Sequence, residues 1–365
     1  MLAKGADHEP TLGRWRHERV RPVDELQPAT GVVMQGFAHI TIYDVARVAG
    51  VAPSTVSRAL SKPGRVSYQT AEHVRRIAEE LGYRTGRMER AVSERGTGLL
   101  AIVVADVANP VFFGMIRGAE RAATDLGFTL LLLETQESES TEREASDRLI
   151  PQVDGVVLSS SRMSNAAIRS LAKRTPTVLM NRIVSEVCSV VIDNVQAIKK
   201  ATEHLAALGH TSICYLAGPE ASWADSARWR GLREAGLELE LPVRRLGPFP
   251  PTVQGGAVAA DQWILRPTSA VITYNDLVAI GFLRAVLAAG RSVPGDVSVI
   301  GFDNIADAVL VEPNLTTIAA PLVSLGAAAI ARLVKTTRSR STEAPEPVLL
   351  PARLVIRNST GSPST

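Results

Sequence analysis

Four polar side chains on one short segment are placed to make hydrogen bonds outside the protein. The segment begins at Pro53, and Val56 and Leu60 fall on one face of the helix that it predicts. The opposite face carries Ser54, Thr55, Ser57 and Arg58. Hydroxyls and a guanidinium can donate to base edges and phosphate oxygens, whereas they form a poor surface for packing. The pattern therefore favours contact with nucleic acid.

The neighbouring segments predict two more helices that would hold this one in place. Thr41 is placed to cap the first helix, whose apolar positions are Ile42, Val45, Ala46 and Ala49. Gly50 supplies the turn that follows, and Pro53 suits a first helical position. The third helix has Ser67 as its N-cap and an apolar stripe at Val74, Ile77, Ala78 and Leu81. The three helices predict a helix-turn-helix, which inserts its second helix into the DNA major groove. A small three-helix packing unit without a partner is the alternative.

The charge distribution supports the nucleic-acid interpretation. The formal net charge is +3, and residues 41–95 hold ten Lys and Arg against six Asp and Glu. Residues 1–40 balance at five of each sign, and residues 96–365 hold 25 basic against 26 acidic side chains. A basic segment on a near-neutral body is typical of DNA-binding proteins, because neutralisation of phosphate charge supplies much of their affinity.

The composition predicts a globular chain of two or three domains, with 365 residues of which 45% are hydrophobic and 4% aromatic. Cys188 and Cys214 have no metal-ligand spacing and form no disulfide framework, so we expect no metal site. Two such cysteines are typical of a protein of the reducing cytoplasm. The sequence has no apolar run of membrane length and no signal peptide, so no membrane contact is expected. Residues 1–39 lack periodicity and are interpreted as a disordered extension or, because Met34 lies close to Thr41, as a misplaced translation start.

From Leu99 onward the sequence predicts a bilobed α/β body. Apolar runs of strand length cover residues 99–105, 128–133, 155–158, 177–180, 212–217, 270–273 and 297–302. Helices are predicted between them at 112–126, 142–152, 196–208, 226–235, 253–265 and 277–289. Apolar strands that alternate with helices indicate parallel sheets covered on both faces. The pattern restarts after residue 193, which predicts two doubly wound units with a ligand cleft at the carboxyl ends of their strands.

The same body lacks the sequence signals of catalysis. Residues 106–113, which follow the first strand, contain no glycine, so the turn that binds a dinucleotide is missing. Because the sequence has no phosphate-binding loop, nucleophile elbow or catalytic cluster either, we expect neither an enzyme nor a cofactor. His204 and His210 flank a helix end, and His210 is interpreted as a helix-terminus residue. A sugar-binding protein without a DNA role is the rival, but it would need a signal peptide and no basic segment.

The chain from Ile40 to Arg357 resembles the lactose-repressor (LacI/GalR) family. The resemblance rests on separated motifs: Asp44-Val-Ala-x-x-Ala-Gly-Val51, Thr55-Val-Ser-Arg58, Asn109-Pro110, Val191-Ile-Asp-Asn194, His204-Leu, Leu208-Gly-His210, Asn275-Asp276, Val293-Pro, Val297-Ser-Val-Ile-Gly-Phe-Asp303 and Pro313-x-Leu-Thr-Thr317. It implies an all-α helix-turn-helix domain (40–83), a hinge (84–96) and a periplasmic-binding-protein-like core of two doubly wound parallel-sheet subdomains (97–357), followed by a tail (358–365). Lobe 1 would comprise about 97–193 and 295–323, and lobe 2 about 194–294 and 324–357.

Carried over residue by residue, the resemblance implies a set of DNA contacts in the first domain. Pro53, Ser54 and Arg58 would face the bases. Arg58 would pair with a guanine or, in the alternative, lie near a phosphate. Thr55 and Ser57 would lie near phosphates or fix the helix. The full set in this domain is Thr41, Tyr43, Pro53, Ser54, Thr55, Ser57 and Arg58.

The hinge is where the sequence departs from the family pattern. Arg87 and Arg90 would contact phosphates, and Val92 stands where the family has a leucine that wedges into the minor groove. Gly86 weakens the expected hinge helix, and Glu89 brings a negative charge toward DNA. We therefore expect a hinge that binds DNA with a smaller apolar wedge.

The resemblance also implies an effector site between the lobes. The residues implied on the first lobe and its hinge side are Asn109, Phe112, Phe113, Asn181 and Arg182. Those on the second lobe are Ser222, Trp223, Arg228, Phe249 and Asp276. Aromatic faces and charged hydrogen-bonding groups suit a sugar or sugar derivative, and a nucleoside or purine is the alternative.

The expected protein is a cytoplasmic, nucleoid-associated transcriptional repressor that acts as a homodimer on a pseudo-palindromic double-stranded operator. The sequence beyond residue 340 has no leucine heptad, so the tetramerising helix of some family members is not expected.

Overall fold

The computed structural model describes residues 41–61, 66–81, 96–338 and 346–364. The chain divides into two compact units, Met1–Met88 and Glu89–Thr365. No helix among the described residues is long and apolar enough to cross a bilayer.

The first unit has the three predicted helices: α1 (Ile42–Ala49), α2 (Pro53–Ser61) and α3 (Tyr68–Glu80). Val45, Val56 and Val74, one from each helix, are fully buried at the centre of their small core. Thr41 and Ser67 occupy the predicted N-cap positions. The backbone N–H of Thr41 donates to the Asp44 carboxylate over 2.9 Å, and Ser67 Oγ accepts from the Thr70 N–H over 3.2 Å.

The second unit contains two six-stranded sheets. The first consists of β1 (Leu99–Val104), β2 (Thr129–Glu134), β3 (Gly155–Ser159), β4 (Thr177–Met180), β5 (Cys188–Ile192) and β11 (Val348–Leu350), in the order β11-β5-β4-β3-β1-β2. The second consists of β6 (Ile213–Leu216), β7 (Val243–Leu246), β8 (Ala270–Thr273), β9 (Ser298–Asp303), β10 (Thr316–Ala319) and β12 (Arg353–Val355), in the order β12-β10-β9-β8-β6-β7. All neighbouring strands run parallel except β12, which is antiparallel to β10.

Helices cover the sheets, as the apolar strands require. With the first sheet lie α4 (Val111–Asp125), α5 (Glu139–Leu149), α6 (Asn165–Arg174) and α11 (Leu322–Arg338). With the second lie α7 (Asn194–Ala207), α8 (Trp223–Glu238), α9 (Val253–Ile264) and α10 (Asp276–Ala288). The predicted fold class is confirmed: a helix-turn-helix is followed along the chain by two parallel-sheet lobes.

The assignment of chain segments to lobes needs correction. Residues 295–323 were expected in lobe 1, but β9 pairs with β8 and β10 pairs with β9, which places both strands in lobe 2. Residues 324–357 were expected in lobe 2, but α11 packs on α4, β3, β4 and β5 of lobe 1, and β11 pairs with β5. The chain therefore crosses between lobes three times, after β5, after β10 and at Pro351-Ala352 between β11 and β12.

The segment expected to be a tail is part of lobe 2. Ser359 is fully buried, and its hydroxyl accepts from the Thr316 N–H and donates to the Val299 carbonyl, over 2.8 and 2.6 Å. The ring of buried His210 lies 2.9 Å from Ser298 Oγ and 3.0 Å from the Gly361 carbonyl. His210 therefore holds the C-terminal segment against the sheet, and burial lowers its pKa.

Candidate functional site

The predicted DNA-contact residues of the first unit lie on its surface. Ser54, Ser57 and Arg58 are exposed, Pro53 and Thr55 are half-buried, and Thr41 is exposed. Tyr43 is 70% exposed, which is unusual for a side chain of its size. Arg87, Arg90 and Val92 lie outside the described residues.

Arg58 differs from the other arginines that the structure describes in this unit. Arg47, Arg75 and Arg76 each form an ion pair on their own helix, over 2.7 to 2.9 Å. In the part of the unit that the structure describes, Arg58 has no carboxylate within ion-pair distance. Its guanidinium is therefore available for bidentate contact with a base or a phosphate.

An inner cleft lies in the second unit where the carboxyl ends of the two sheets meet. Of the predicted residues, Asn109, Phe112, Asn181 and Arg228 line it. Side chains that the sequence reasoning missed line it as well: Glu137, Ser160, Arg162, Tyr274, Asn275 and Asp303. The free volume inside is about 30 Å³, room for a water or two. A sugar can enter only if the lobes separate or the lining side chains move.

Arg228 is the most heavily constrained side chain of the inner cleft. It is 6% exposed, and its Nε donates to Asn194 Oδ1 over 3.0 Å while its Nη1 donates to the Tyr274 carbonyl. The guanidinium carbon lies 3.5 Å from the centre of the Phe302 ring, a cation–π contact. These contacts fix the plane of the guanidinium before any ligand binds, and Nη2 points toward Asp303 at 3.7 Å.

Lobe 2 contributes the carboxylate of Asp303 to the cleft, and the prediction that Asp276 lines it is wrong. Asp276 is fully buried beneath β9 and β10, where it accepts from Thr317 Oγ1 over 2.5 Å and from the Ile305 N–H over 2.9 Å. It does not line the cleft. Asp276 is the first residue of α10, and its side chain points away from the cleft toward Thr317 and Ile305 of lobe 2. The preceding residue, Asn275, lines the cleft and caps α10 by accepting from the Val278 N–H.

Burial shapes the electrostatics of Asp303. It raises the pKa of this carboxyl to about 7, because the attraction of Arg228 offsets only part of the cost of desolvation. Asp303 also has a φ of 110°, a conformation that L-residues rarely adopt. A strained, half-ionised carboxyl at the end of a strand is typical of a binding site.

The first lobe contributes a second charged pair. Arg162 is almost completely buried, and its Nε donates to Glu137 Oε2 over 2.5 Å. Tyr274, which belongs to the opposite lobe, lines the same cleft. Although burial alone would lower it, the pKa of Arg162 is raised by Tyr274 and Glu137. The cleft is thus bounded by one guanidinium and one carboxylate from each lobe.

Two predicted aromatic contacts are wrong. Phe113 is 55% exposed and does not line the cleft, because it follows Phe112 by one residue on α4 and faces another direction. Phe249 is 4% exposed and packs into the apolar core of lobe 2.

Three predicted residues lie in a separate depression at the edge of the inner cleft. This outer pocket is lined by Asn165, Arg182, Ile183, Glu220, Ala221, Ser222, Trp223 and Ser226. Arg182 donates to the carbonyls of Ser161 and Met163 and so braces the first lobe. Ser222 caps α8 by accepting from the Asp225 N–H over 3.2 Å. Arg182, Ser222 and Trp223 are therefore not in the inner cleft.

A sequence signal for the missed residues was present. Asp303 ends the apolar run 298–303, and Tyr274 and Asn275 directly follow β8, the positions where parallel sheets bind ligands. Arg162 lies three residues beyond β3 and carries no comparable signal.

Comparison with known proteins assigns both units. Residues 41–86 match the model of bacterial regulatory proteins of the lacI family, and residues 202–360 match a periplasmic binding protein-like domain. The HTH-type transcriptional regulator DegA of Bacillus subtilis (strain 168) is 31% identical over 336 residues, which cover 89% of this chain and 99% of DegA. The chain belongs to the LacI family.

Two solved structures are similar to the chain over most of its length. A complex of the transcriptional regulator CelR with cellobiose is 30% identical, with a TM-score of 0.66 over 88% of this chain and 99% of CelR. The lac repressor dimer bound to operator and the anti-inducer ONPF is 25% identical, with a TM-score of 0.67 over 89% of this chain and all of the repressor chain. The protein is a DNA-binding transcriptional regulator with a small-molecule effector, like the family to which it belongs.

Proposed function

We propose that this LacI-family protein is a repressor whose operator affinity changes when a sugar or sugar derivative binds in the inner cleft. The observation that carries the proposal is the fixed Arg228 guanidinium, stacked on Phe302 and directed at Asp303. Such a pair can donate to one hydroxyl and accept from the next in a buried, charge-assisted arrangement. The similar CelR was solved with cellobiose, which supports a carbohydrate ligand.

The other lobe favours the same chemistry. Arg162 and Glu137 repeat the donor–acceptor pairing on the first lobe, with Asn109 and Asn181 beside them. A nucleoside would place an apolar base face among these polar groups, so a ligand with hydroxyls at both ends fits better.

A ligand screen tests this function. Thermal-shift assays with sugars and nucleosides identify the effector, and gel shifts on the upstream region of the gene show whether it changes operator binding. Arg228→Met and Asp303→Asn should each weaken effector binding by about ten- to hundred-fold, since each leaves a buried partner unpaired. Arg174→Met, which removes an exposed arginine of lobe 1 paired with Asp147, is the matched control. Unchanged affinity in both cleft variants would place the effector elsewhere.

We also propose that Arg58 reads a base in each operator half-site. It is exposed on α2, the helix that a helix-turn-helix inserts into the major groove, and no described carboxylate competes for it. Because an operator lies on the chromosome, this role places the protein in the cytoplasm.

We propose a homodimer formed through an apolar groove on lobe 2. The groove has a volume of about 490 Å³ and lies between α10 and residues 306–312. Leu310, on its rim, is 77% exposed, and Leu277, Ile280 and Leu283 form its floor. The similar lac repressor was solved as a dimer on its operator, and a two-fold operator requires two DNA-binding units.

Sedimentation velocity tests the dimer. Leu310→Asp should convert the protein to monomers at concentrations where the parent is dimeric, because the charge would be buried against apolar surface. Leu265→Asp is the matched control, since Leu265 is 85% exposed on the same lobe and lies outside the groove. If Leu310→Asp still sediments as a dimer, the interface lies on a face other than the groove of lobe 2.

A further inference from the structure

The outer pocket has room for a ligand group that the inner cleft lacks. Its volume is about 280 Å³, and both lobes contribute to its walls. Asn165 and Arg182 come from the first lobe, and Glu220, Trp223 and Ser226 from the second. Because the pocket spans the two lobes, a group bound in it would contact both of them, as a group in the inner cleft would.

The outer pocket adjoins the inner cleft along both walls. On the first lobe Asn181 lines the cleft and the next residue, Arg182, lines the pocket. On the second lobe Ala224 lines the cleft and the preceding Trp223 lines the pocket. On each lobe, residues that are consecutive in the chain therefore border the two spaces. One ligand with two linked parts could occupy both.

Trp223 is the side chain that points to a ring-shaped ligand. Only 4% of the residues are aromatic, yet this tryptophan is half-buried on the first turn of α8 and belongs to none of the apolar core clusters that the described residues form. A large aromatic face that serves no core is available for stacking. Glu220, Ser226 and Asn165 around it can accept from or donate to hydroxyls.

The lining of the pocket is held in place by hydrogen bonds within each lobe. Arg182 Nη2 donates to Asn165 Oδ1 over 2.7 Å, which orients the Asn165 amide. The Ser222 hydroxyl, at the base of Trp223, lies 3.1 Å from the hydroxyl of Tyr274, which lines the inner cleft. A hydrogen bond therefore links Ser222, which lines the outer pocket, to Tyr274, which lines the inner cleft.

We propose that the outer pocket is a second sugar subsite, in which one ring lies on Trp223 while a first ring occupies the inner cleft. The inference rests on the proposed function, and it narrows the effector from any sugar to a glycoside of at least two sugar units. Trp223 then determines the length of ligand that the protein recognises, whereas Arg228 and Asp303 hold the first ring.

Calorimetric titration with matched probes tests the subsite. The probes are glucose, methyl β-glucoside and cellobiose, together with galactose, methyl β-galactoside and lactose. We expect a disaccharide to bind the parent protein more tightly than its monosaccharide, and Trp223→Ala to weaken the disaccharide about tenfold while changing monosaccharide affinity less than about twofold. Trp223→Tyr keeps a flat aromatic face and should restore most of the loss. Phe113→Ala is the control, because it removes an exposed aromatic side chain that lines neither space.

The outcomes separate this inference from the function on which it rests. Equal affinities for mono- and disaccharides, unaffected by Trp223→Ala, would overturn the subsite and leave the inner cleft as the effector site. Equal losses for both probe classes would place Trp223 against the first ring and also overturn the two-subsite arrangement. If no probe binds the parent protein, the carbohydrate function fails and the subsite fails with it.

Discussion

Asp303→Asn should stabilise the ligand-free protein, and more so at high pH. Burial raises the pKa of Asp303 to about 7, whereas the carboxyl of an unfolded chain titrates near 3.9. The unfolded state therefore releases its proton first, and the free energy of unfolding falls as the pH rises from about 4 to about 7. The full penalty above pH 7 is about 4 kcal/mol, and an asparagine avoids it.

The pH dependence gives this prediction its numerical test. The difference in unfolding free energy between Asp303→Asn and the parent should grow by about 2–3 kcal/mol between pH 5 and pH 8, with most of the change below pH 7. Asp276, whose pKa burial and the Asp303 charge both raise, acts in the same direction, because neutralising Asp303 lowers the pKa of Asp276. Urea unfolding of the full chain at several pH values, followed on the transition of the second unit, measures the difference.

A second buried aspartate of lobe 2 provides the control. Asp225 accepts from the Tyr215 hydroxyl, the Gly218 N–H and Arg245 Nη2, over 2.7 to 2.9 Å. Asp225→Asn should therefore destabilise the protein by about 1–3 kcal/mol, the reverse of the effect at Asp303. An Asp303→Asn difference that does not change from pH 5 to pH 8 would show that the carboxyl titrates normally, and the electrostatic argument for the cleft would be refuted.

Three further outcomes are expected. Arg58→Ala should weaken binding to the true operator by about 1–3 kcal/mol and remove the preference at one base pair per half-site. Arg75→Ala should weaken binding less, and by the same amount on all DNA sequences. If Arg58→Ala weakens binding equally on operator and random DNA, Arg58 contacts a phosphate and not a base. Val92→Leu should enlarge the apolar wedge and tighten operator binding in gel shifts, and weaker binding would show that Val92 is not the wedge. Gly301→Ala should lower the free energy of unfolding of lobe 2 by about 2 kcal/mol or more in urea unfolding, since the new Cβ would lie 2.1 Å from Oδ1 of the buried Asp276. Gly290 has a φ of +76° and open space around the position of a Cβ. Gly290→Ala should therefore lower the free energy of unfolding by only about 1–2 kcal/mol.

Local pattern was sufficient to predict many elements of this protein, but it gave no signal for β5, β7, β10, α6 and α11 and did not show which lobe each element joins. The apolar runs at β3, β4 and β8 and the caps Thr41 and Ser67 depend on neighbours within a few residues, and the structure has them where the sequence predicts. The membership of β9, β10 and α11 depends on pairing partners far away in the chain, for which periodicity carries no information. The exchange of segments between lobes was therefore predicted wrongly.

The residues of the cleft, too, could be predicted only in part from the sequence. Asn275 and Asp276 are adjacent at the end of β8, and the sequence offers no reason to choose between them. The start of α10 decides, because the N-cap residue faces the cleft while the first helical residue turns beneath the sheet to Thr317. The ion pair of Arg162 and Glu137 could not be predicted, since the two residues are 25 positions apart and meet only through the sheet order.

The arrangement of contacts explains how a ligand in the cleft could change DNA binding. The chain that leaves the DNA-binding unit enters lobe 1, where the N–H groups of Thr97 and Gly98 donate to Asp154 over 2.5 and 2.8 Å ahead of β1. The groove proposed for the dimer lies on lobe 2. If lobe 2 is held at the dimer interface, a change in the angle between the lobes must move lobe 1 and the chain attached to it.

A ligand changes that angle only if it binds one arrangement of the lobes more tightly than another. Arg228 and Asp303 are anchored within lobe 2, whereas Arg162 and Glu137 are anchored within lobe 1. A ligand that bonds both pairs favours the arrangement that brings them together. A shift of the lobe equilibrium from 1:99 to 99:1 needs about 5.5 kcal/mol of differential binding, which two to four charge-assisted hydrogen bonds of about 1.5–3 kcal/mol each can supply. Contact with both lobes is therefore the physical requirement for a regulatory ligand of this protein.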